Sequence, residues 1–250
     1  MISSETAKAP QDGFVLRRFF HCGFPLHAEG RASAGGRALR RRKVEQISPM
    51  PDFARRMENK KGIDTMKTLI LNGSPRPQGD TAALIRAFRE ELKGEVRQID
   101  AYRARISPCV DCRACMQGDG CRIKDDMEQI YQAAAQADAL VIASPLYFST
   151  LTGPLLSLCS RFQSLYAARR QGLPRPGEKK AGVALLVGGG STKDPAWALG
   201  VASIILRELG ARLSGQVFSL HTDKLPAAQD EAALAEARKI AWSLNRLCGE

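Results

Sequence analysis

The sequence predicts an α/β protein in which a doubly wound, five-stranded parallel β-sheet carries helices on both faces. Three observations support this prediction. Apolar or alternating runs of strand length occur five times after Met66, a segment with apolar residues at helical spacing follows each of them, and no stretch of the chain repeats another. Ligands of such sheets bind outside the carboxyl ends of the strands, so the loops that follow the strands are the places to search for a site.

The elements follow one another in a regular order. The predicted strands are runs next to turn-forming residues, at 67–73, 95–100, 139–148 and 211–220, and at the start of 179–190, which ends in a glycine-rich turn. The predicted helices carry apolar residues at helical spacing, at 80–94, 125–138, 153–169, 195–210 and 229–247. Asp80 is placed to cap the first helix and Gly94 to end it.

Residues 1–65 lack the periodicity of the rest of the chain and carry 13 Lys and Arg against 7 Asp and Glu. Three interpretations remain open: a disordered basic arm, an Arg-rich targeting peptide, or upstream sequence included by too early a start codon. The acidic residues argue against a targeting peptide, because such peptides are poor in Asp and Glu. We favour the start-codon interpretation because Met66 directly precedes the first strand, and we expect residues 66–250 to form one domain.

The net charge of +11 does not by itself indicate a nucleic-acid-binding protein. A charge of +6 lies in residues 1–65, and the chain carries no motif of a nucleic-acid-binding domain. It has no apolar run long enough to cross a bilayer and no secretory signal. We therefore expect a cytoplasmic protein without nucleic-acid or membrane partners. In that setting clustered cysteines more often bind metal or do redox chemistry than form disulfides.

The first loop of interest joins the first strand to the first helix and reads NGSPRPQGDTAAL, at 72–84. It contains neither G-x-G-x-x-G nor G-K-[ST], so it is not a Rossmann dinucleotide loop or a Walker A loop. It offers the hydroxyl groups of Ser74 and Thr81, the guanidinium of Arg76 and free N–H groups at a helix N-terminus, which together suit a phosphate group. A Pro/Gly turn with an ordinary helix cap is the alternative.

Two further loops follow the third and fourth strands. After the third strand Pro145 stiffens the chain, and a surface that suits a flat ring is offered by Leu146, Tyr147 and Phe148. After the fourth strand, Gly188–Gly190 let the backbone approach a ligand closely. The alternative for the loop after the third strand is that its aromatic residues belong to the core. The alternative for the loop after the fourth strand is a flexible turn.

Four of the seven cysteines lie within thirteen residues, in the spacing C-x2-C-x2-C-x5-C formed by Cys109, Cys112, Cys115 and Cys121. Such a compact tetrad suits a [4Fe–4S] cluster, in which each iron takes one thiolate. Zinc is a competing metal, although zinc ribbons usually separate two C-x2-C pairs by a longer stretch. Thiols that bind no metal are the third alternative.

Taken together and in this order, these loops resemble those of the flavodoxin-like NAD(P)H-dependent FMN reductases and, within them, the iron–sulfur flavoproteins. The resemblance runs from Met66 to about Leu247 and rests on the segments LNGSPRPQGDTAAL, PCVDCRACMQGDGCRIKDDM, ASPLYFSTLTGPLL and LLVGGG. It implies a flavodoxin-like sheet that binds FMN without a covalent bond.

The resemblance also implies roles for single residues. The FMN phosphate would be held by the first loop, through Ser74, Arg76, Gly79, Asp80 and Thr81. The stretch Pro145–Phe148 would lie along the isoalloxazine ring and the ribityl chain, and Gly188–Gly190 at the ring edge. The chain departs from the family twice, because relatives usually have Asn at Asp80 and many have Asp-Arg at Ser160-Arg161. A carboxylate repels a phosphate, so either Asp80 faces away from the phosphate or FMN binds more weakly than in relatives.

The leading hypothesis is an NAD(P)H-dependent oxidoreductase that passes electrons through FMN to a quinone, a free flavin or a metal ion. The flavin carries that chemistry, so no catalytic side chain is required. The alternative is an electron carrier in which a [4Fe–4S] cluster links ferredoxin to FMN. In the resembling family this transfer crosses subunits, which implies a homodimer or homotetramer. A redox or metal sensor without FMN is a third hypothesis.

Overall fold

The computed structural model of the protein describes residues 65–118, 120–172, 180–190 and 194–247. The three interpretations of the N-terminal segment therefore concern residues that lie, except for residue 65, outside the described part of the chain. Cys22 and Cys248 also lie outside it.

The described chain alternates between strands and helices. The strands are β1 (Lys67–Asn72), β2 (Glu95–Asp100), β3 (Ala139–Pro145), β4 (Lys180–Gly188) and β5 (Ala211–Leu220). The helices are α1 (Asp80–Glu91), α2 (Met127–Gln136), α3 (Gly153–Ser160), α4 (Gln163–Arg170), α5 (Ala196–Glu208) and α6 (Glu231–Leu247). Two short 3₁₀ helices lie at Ala114–Gln117 and Ala227–Gln229.

The five strands form one sheet in the order β2-β1-β3-β4-β5, and all neighbouring pairs are parallel. This is the flavodoxin-like order, so the predicted fold class is confirmed. The chain moves outward from β1 to β2 and then crosses to the other side of β1 to form β3. The strand order therefore reverses between β1 and β3, and the carboxyl ends of these two strands are where ligands of such sheets bind.

Two hydrophobic cores cover the two faces of the sheet, and β3 contributes to both. Leu140 and Ile142 of β3 pack into the core that includes α2, α3 and α5. Val141 and Ala143 pack into the core that includes α1 and α6. Successive side chains of a strand point to opposite faces, so a strand buried on both sides is apolar along its whole length. That is why the run at 139–145 is the clearest strand signal in the sequence.

The structure differs from the predicted element boundaries in two places that matter for the site. The third strand ends at Pro145, because residues 147–150 turn back on themselves through paired backbone hydrogen bonds between Tyr147 and Thr150 (3.0 and 3.1 Å). The predicted helix at 153–169 is two helices. At its break, the N–H groups of Arg161 and Phe162 donate three residues back, to Leu158 and Cys159 (3.1 and 3.0 Å), and this tighter turn ends α3.

Within the described residues, no helix combines the length and the apolar character that a membrane span needs.

Candidate functional site

The loop between β1 and α1, residues 73–79, is called the phosphate loop below. It begins at Asn72, the last residue of β1, whose Oδ1 accepts a hydrogen bond from the Ser74 N–H (3.0 Å) and whose Nδ2 donates to Asp100 Oδ1 (2.7 Å). Asp100 ends β2, so one side chain ties the loop to two strand ends. Burial opposes ionisation of Asp100, but hydrogen bonds from Gln98, Asn72 and Arg103 and the charge of Arg103 outweigh it and lower the pKa of the carboxyl group.

The phosphate loop also presses against the start of α3. The Thr152 hydroxyl donates to the carbonyl oxygen of Gly73 (2.8 Å). A β-carbon added at Gly73 would lie 2.8 Å from both Thr152 Oγ1 and Leu155 Cδ2, so only glycine fits at this close approach. Further along, the buried Ser74 hydroxyl bridges to the backbone N–H and the carbonyl oxygen of Arg76 (both 3.3 Å). The loop backbone is therefore fixed from both sides.

Helix α1 begins without a side-chain cap. Its N-cap residue is Gly79, and no side chain accepts a hydrogen bond from the first turn of the helix. The Thr81 hydroxyl lies in the same turn, is buried and has no hydrogen-bond partner among the described residues. Unpaired N–H donors at a helix N-terminus attract anions. The unpaired Thr81 hydroxyl beside them is a further donor, so these residues fit the phosphate of FMN.

Asp80 does not cap α1 as the sequence predicted. Its Oδ1 accepts a hydrogen bond from the Ala227 N–H (3.0 Å), and its Oδ2 accepts one from Arg76 Nη2 (3.1 Å). The carboxylate thus joins α1 to the 3₁₀ helix Ala227–Gln229, and it shares the charge of the exposed Arg76 side chain. Both carboxylate oxygens are engaged by protein groups.

The loop after β3 places aromatic surface at the edge of the sheet. Leu146 continues the pairing with β4 through an N–H bond to the Val187 carbonyl oxygen (2.8 Å). Tyr147 and Phe148 are exposed, and Phe148 has a left-handed backbone (φ 51°). These two side chains are therefore not core residues, and their surface is available to a ligand or a partner. Tyr102, which follows β2, lies next to Tyr147. Burial is the main cause that raises the pKa of Tyr102, and the neighbouring Tyr147 is the second cause.

The glycines after β4 are held by the segment that follows β5. The Gly190 N–H donates to Asp223 Oδ1 (2.9 Å), and the Thr222 N–H donates to the Gly188 carbonyl oxygen (3.0 Å). Side-chain atoms of residues 222 and 223 lie 3.5 Å or more from a β-carbon built at Gly189, and nothing lies within 4 Å of one built at Gly190. The turn thus leaves open space beside β4, at the same edge of the sheet as the loops after β1 and β3.

The four cysteines lie on the connection between β2 and α2, and residues 107–125 are called the cysteine loop below. Cys109, Cys112, Cys115 and Cys121 line one cavity of about 250 Å³, together with Arg161. The pKa of the Cys115 thiol is raised, mainly by burial and secondly by the charge of Cys121. Among the residues that the structure describes, no three or more His, Cys, Asp or Glu side chains are grouped closely enough to hold a metal ion. The thiols nevertheless share one cavity, which brings the predicted tetrad together.

The backbone of the cysteine loop is unusual on both sides of Cys112. Asp111 and Arg113 are non-glycine residues in the left-handed region (φ 48° and 59°). Such conformations cost about 1 kcal/mol or more each and persist where the surroundings impose them. After Cys112 the 3₁₀ helix Ala114–Gln117 follows, and the Gln171 side chain donates to the Cys115 carbonyl oxygen (2.6 Å).

The turn between α3 and α4 anchors this loop through a residue pair that the sequence did not explain. The Ser160 hydroxyl accepts a hydrogen bond from the Cys109 N–H (2.9 Å). The Arg161 side chain, only 1% exposed, donates to the carbonyl oxygens of Ser107 and Ile123 (both 2.9 Å) and to Asp125 Oδ2 (2.7 Å). Burial opposes ionisation of Asp125, but the hydrogen bonds and charge of Arg161 contribute to a lowered pKa of its carboxyl group.

The sequence model of the NADPH-dependent FMN reductases matches residues 66–225. The chain belongs to this family. As a member of it, the reductase is an FMN-dependent oxidoreductase that uses NAD(P)H. The matched region starts one residue before β1 and includes the phosphate loop, the cysteine loop and the glycines after β4.

Curated relatives are similar to the chain in sequence, and a solved structure shares its fold. The reductase is 31% identical over 194 residues to an iron–sulfur flavoprotein of Methanocaldococcus jannaschii, covering 72% of this chain and 94% of that protein. It is 28% identical over 89 residues to an NADH-dependent FMN reductase of Pseudomonas putida, covering 35% and 47%. Its fold is similar to that of the NAD(P)H:quinone oxidoreductase of Methanothermobacter marburgensis, with a TM-score of 0.54, 19% identity, and 72% and 97% of the two chains covered.

Three residues that hold these loops were not singled out from the sequence as site residues. Asn72, Thr152 and Arg161 each form a hydrogen bond to a residue that is distant in the sequence. The most distant partners lie 28, 79 and 54 residues away, respectively. A polar residue directly after a buried strand was a usable signal for Asn72, because strand ends meet at the ligand edge of the sheet. The sequence offered no comparable signal for Arg161.

Proposed function

We propose that the reductase binds FMN in the crevice at the carboxyl ends of β1 and β3 and passes electrons from NAD(P)H to a quinone, a free flavin or a metal ion. The observation that carries this proposal is the uncapped N-terminus of α1 with the buried, unpartnered Thr81 hydroxyl beside it. A helix N-terminus of this kind is a ready-made anion-binding site. The phosphate of FMN is the anion that the family membership supplies.

The chain's own groups bind and orient the cofactor in this proposal. Ser74, Gly79, Thr81 and the first N–H groups of α1 hold the phosphate, and Arg76 adds positive charge from the solvent side. The stretch Pro145–Phe148 flanks the flat ring, and Gly188, Gly189 and Gly190 allow its edge to approach the backbone. The chemistry that FMN supplies when bound is acceptance of a hydride from NAD(P)H and delivery of electrons to an acceptor.

The substitution Thr81→Val tests the phosphate site, because it removes the orphaned hydroxyl and keeps the shape of the side chain. We expect the variant to bind FMN about tenfold more weakly or worse, since a hydrogen bond to a charged group contributes about 1.5–3 kcal/mol. Its FMN-free form should be at least as stable as the wild type, because a buried unpaired hydroxyl is removed. Fluorescence titration with FMN and thermal denaturation measure the two quantities.

The matched control is Thr68→Val on β1, where the hydroxyl is also buried without a partner in the described structure. This variant should gain stability in the same way and bind FMN like the wild type. Equal FMN affinity of Thr81→Val and the wild type would contradict the phosphate site.

A second function is favoured by the cysteine cavity. The four thiols suit a [4Fe–4S] cluster, which takes one thiolate per iron, and the cavity is also lined by three cations and one anion: Arg113, Arg122, Arg161 and Asp111. The first relative is named an iron–sulfur flavoprotein. The reductase would then act as a homo-oligomeric electron carrier between ferredoxin and FMN, with Cys109, Cys112, Cys115 and Cys121 as cluster ligands.

The two functions are separated by one preparation. Protein purified without oxygen is assayed for iron and sulfide, and its reduction by NAD(P)H and by reduced ferredoxin is followed in the visible spectrum. About four irons per chain with rapid reduction by ferredoxin alone support the electron carrier. Flavin bands without iron, bleached by NAD(P)H, support the plain reductase and exclude the cluster.

A further inference from the structure

Arg161 bonds to both ends of the cysteine loop, which also bond to each other through the Ser107 N–H and Asp125 Oδ2 (3.0 Å). Its guanidinium bonds to Ser107, two residues before the first cysteine of the tetrad, and to Ile123 and Asp125, which follow the last one. Between these points the chain makes few anchoring contacts, and none of residues 107–118 is buried. Closing a loop of this length costs conformational entropy, which the contacts at its ends must offset.

The same side chain faces the cysteine cavity. Arg161 is one of the cavity-lining residues, and the charge of Cys121 lies within its electrostatic range. Its Nε–H group is buried and has no hydrogen-bond partner among the residues that the structure describes. A buried N–H donor of a charged group is costly to leave unpaired. A sulfur acceptor inside the cavity would pair it.

We propose that Arg161 is the positioning residue of the cysteine loop, which it closes at both ends so that the four thiols face one cavity, and that its Nε–H donates to a sulfur atom held there. The first half concerns the metal-free loop and stands without a cluster. The second half rests on the cluster proposed above. Ser160 assists by fixing the Cys109 N–H (2.9 Å), so one turn of the chain holds the first cysteine and both loop ends.

Arginine is required for this role by geometry rather than by charge alone. Its planar fork carries five donors and bonds three acceptors on different parts of the loop here. A lysine at the same place keeps the positive charge beside Asp125 but offers a single donor centre. The substitution Arg161→Lys therefore removes the bond to at least one of the two loop carbonyl oxygens without leaving Asp125 as an unpaired buried charge, while the direct bond between Ser107 and Asp125 stays in place.

The test compares Arg161→Lys with the wild type in the full chain, with two readouts besides activity. The first is the alkylation rate of each cysteine in metal-free, FMN-loaded protein, measured by peptide mass spectrometry. The second is the rate of iron loss to a chelator after anaerobic reconstitution. We expect alkylation of Cys109 and Cys121 to be about tenfold faster, because the loop is held less firmly, and iron loss to be faster by a similar factor, because a hydrogen bond to a charged group is lost.

Cys159 is the internal control, because it is buried in the core and burial raises its pKa to about 12. Release of the loop leaves Cys159 protected, whereas general destabilisation of the fold exposes it as well. Arg238→Lys is the external control, since Arg238 pairs with Glu90 (2.7 Å) on the face of the sheet away from the loop. It should leave both rates unchanged.

Each outcome decides a separate point. Alkylation rates of Arg161→Lys within twofold of the wild type overturn the positioning role. Wild-type protein that takes up no iron contradicts the cluster and with it the Nε–H bond, while the alkylation result still decides the positioning role. If Arg161→Lys does not fold, the double variant Arg161→Met with Asp125→Asn removes both buried charges together. Unchanged alkylation in that variant also overturns the proposal.

Discussion

The phosphate loop and the cysteine loop follow neighbouring strands of one sheet, but the fold holds them in different ways. The phosphate loop has seven residues; Asn72 and Thr152, at a strand end and a helix start, fix its first two residues, and the Ser74 hydroxyl bonds onward to Arg76. The cysteine loop is longer and exposed, and the turn after α3 holds it mainly at its ends. The phosphate loop is thus held by the ends of core elements, whereas the cysteine loop is a long connection that a few contacts position.

The two loops should therefore respond differently to substitutions. A change in the phosphate loop disturbs groups that are already packed, so a small steric change has a large effect on FMN. A change among the cysteines alters side chains that line a cavity at the surface, so it should leave the fold and the flavin site intact. The predictions below test that separation, from the largest expected effect to the smallest.

The largest effect is expected from Gly73→Ala. The new β-carbon would lie 2.8 Å from Thr152 Oγ1 and from Leu155 Cδ2, both buried, so the loop must move away from α3. Overpacking of this kind costs about 1–3 kcal/mol of stability, and FMN affinity should fall by about tenfold or more, as 1.4 kcal/mol corresponds to tenfold. Isothermal titration with FMN and chemical denaturation measure the two losses.

Gly200→Ala in α5 is the matched control. Nothing lies within 4 Å of a β-carbon built there, so the substitution should stabilise the helix by about 0.5–1 kcal/mol. FMN affinity should not change. If Gly73→Ala bound FMN like this control, the tight packing of the phosphate loop on α3 would have no part in cofactor binding.

A smaller effect of opposite sign is expected from Asp80→Asn. The amide oxygen can still accept the Ala227 N–H, but the ion pair with Arg76 is lost and a negative charge leaves the first turn of α1. Arg76 is then free to face the phosphate. We expect FMN to bind about threefold to tenfold more tightly at low salt and the gain to shrink at high salt, because exposed charges are screened.

The same substitution at the cysteine loop provides the comparison. Asp126→Asn also weakens an exposed ion pair, here with Arg105 (3.5 Å), but it lies beside the cysteine loop. FMN affinity should not respond to it. Weaker FMN binding by Asp80→Asn would show that Asp80 acts by holding the loop to residue 227 rather than by its charge.

The fold and the phosphate loop could be predicted from the sequence because both are encoded locally. Buried parallel strands are continuous apolar runs, and a loop between strand and helix reveals itself by its small and hydroxyl residues. Asp80 was misassigned as a cap because the Ala227 N–H, 147 residues away, competes for its carboxylate. The break between α3 and α4 was missed for the same reason. Arg161, at the break, bonds to partners 36 to 54 residues earlier in the chain, and no local sequence pattern predicts these bonds.

The smallest effect on FMN is expected when all four cysteines, Cys109, Cys112, Cys115 and Cys121, are replaced by serine. The two loops meet the same helix at opposite ends: Thr152, just before α3, bonds to Gly73, and Ser160, at its last residue, bonds to Cys109. Eight helical residues hold these contacts about 12 Å apart. Because the serine side chains leave those backbone bonds in place, FMN affinity should stay within about twofold of the wild type, whereas any iron is lost. FMN titration and an iron assay on one sample check both statements. A large loss of FMN affinity would show that α3 transmits strain from the cysteine loop to the phosphate loop, and the two sites would then have to be treated as one.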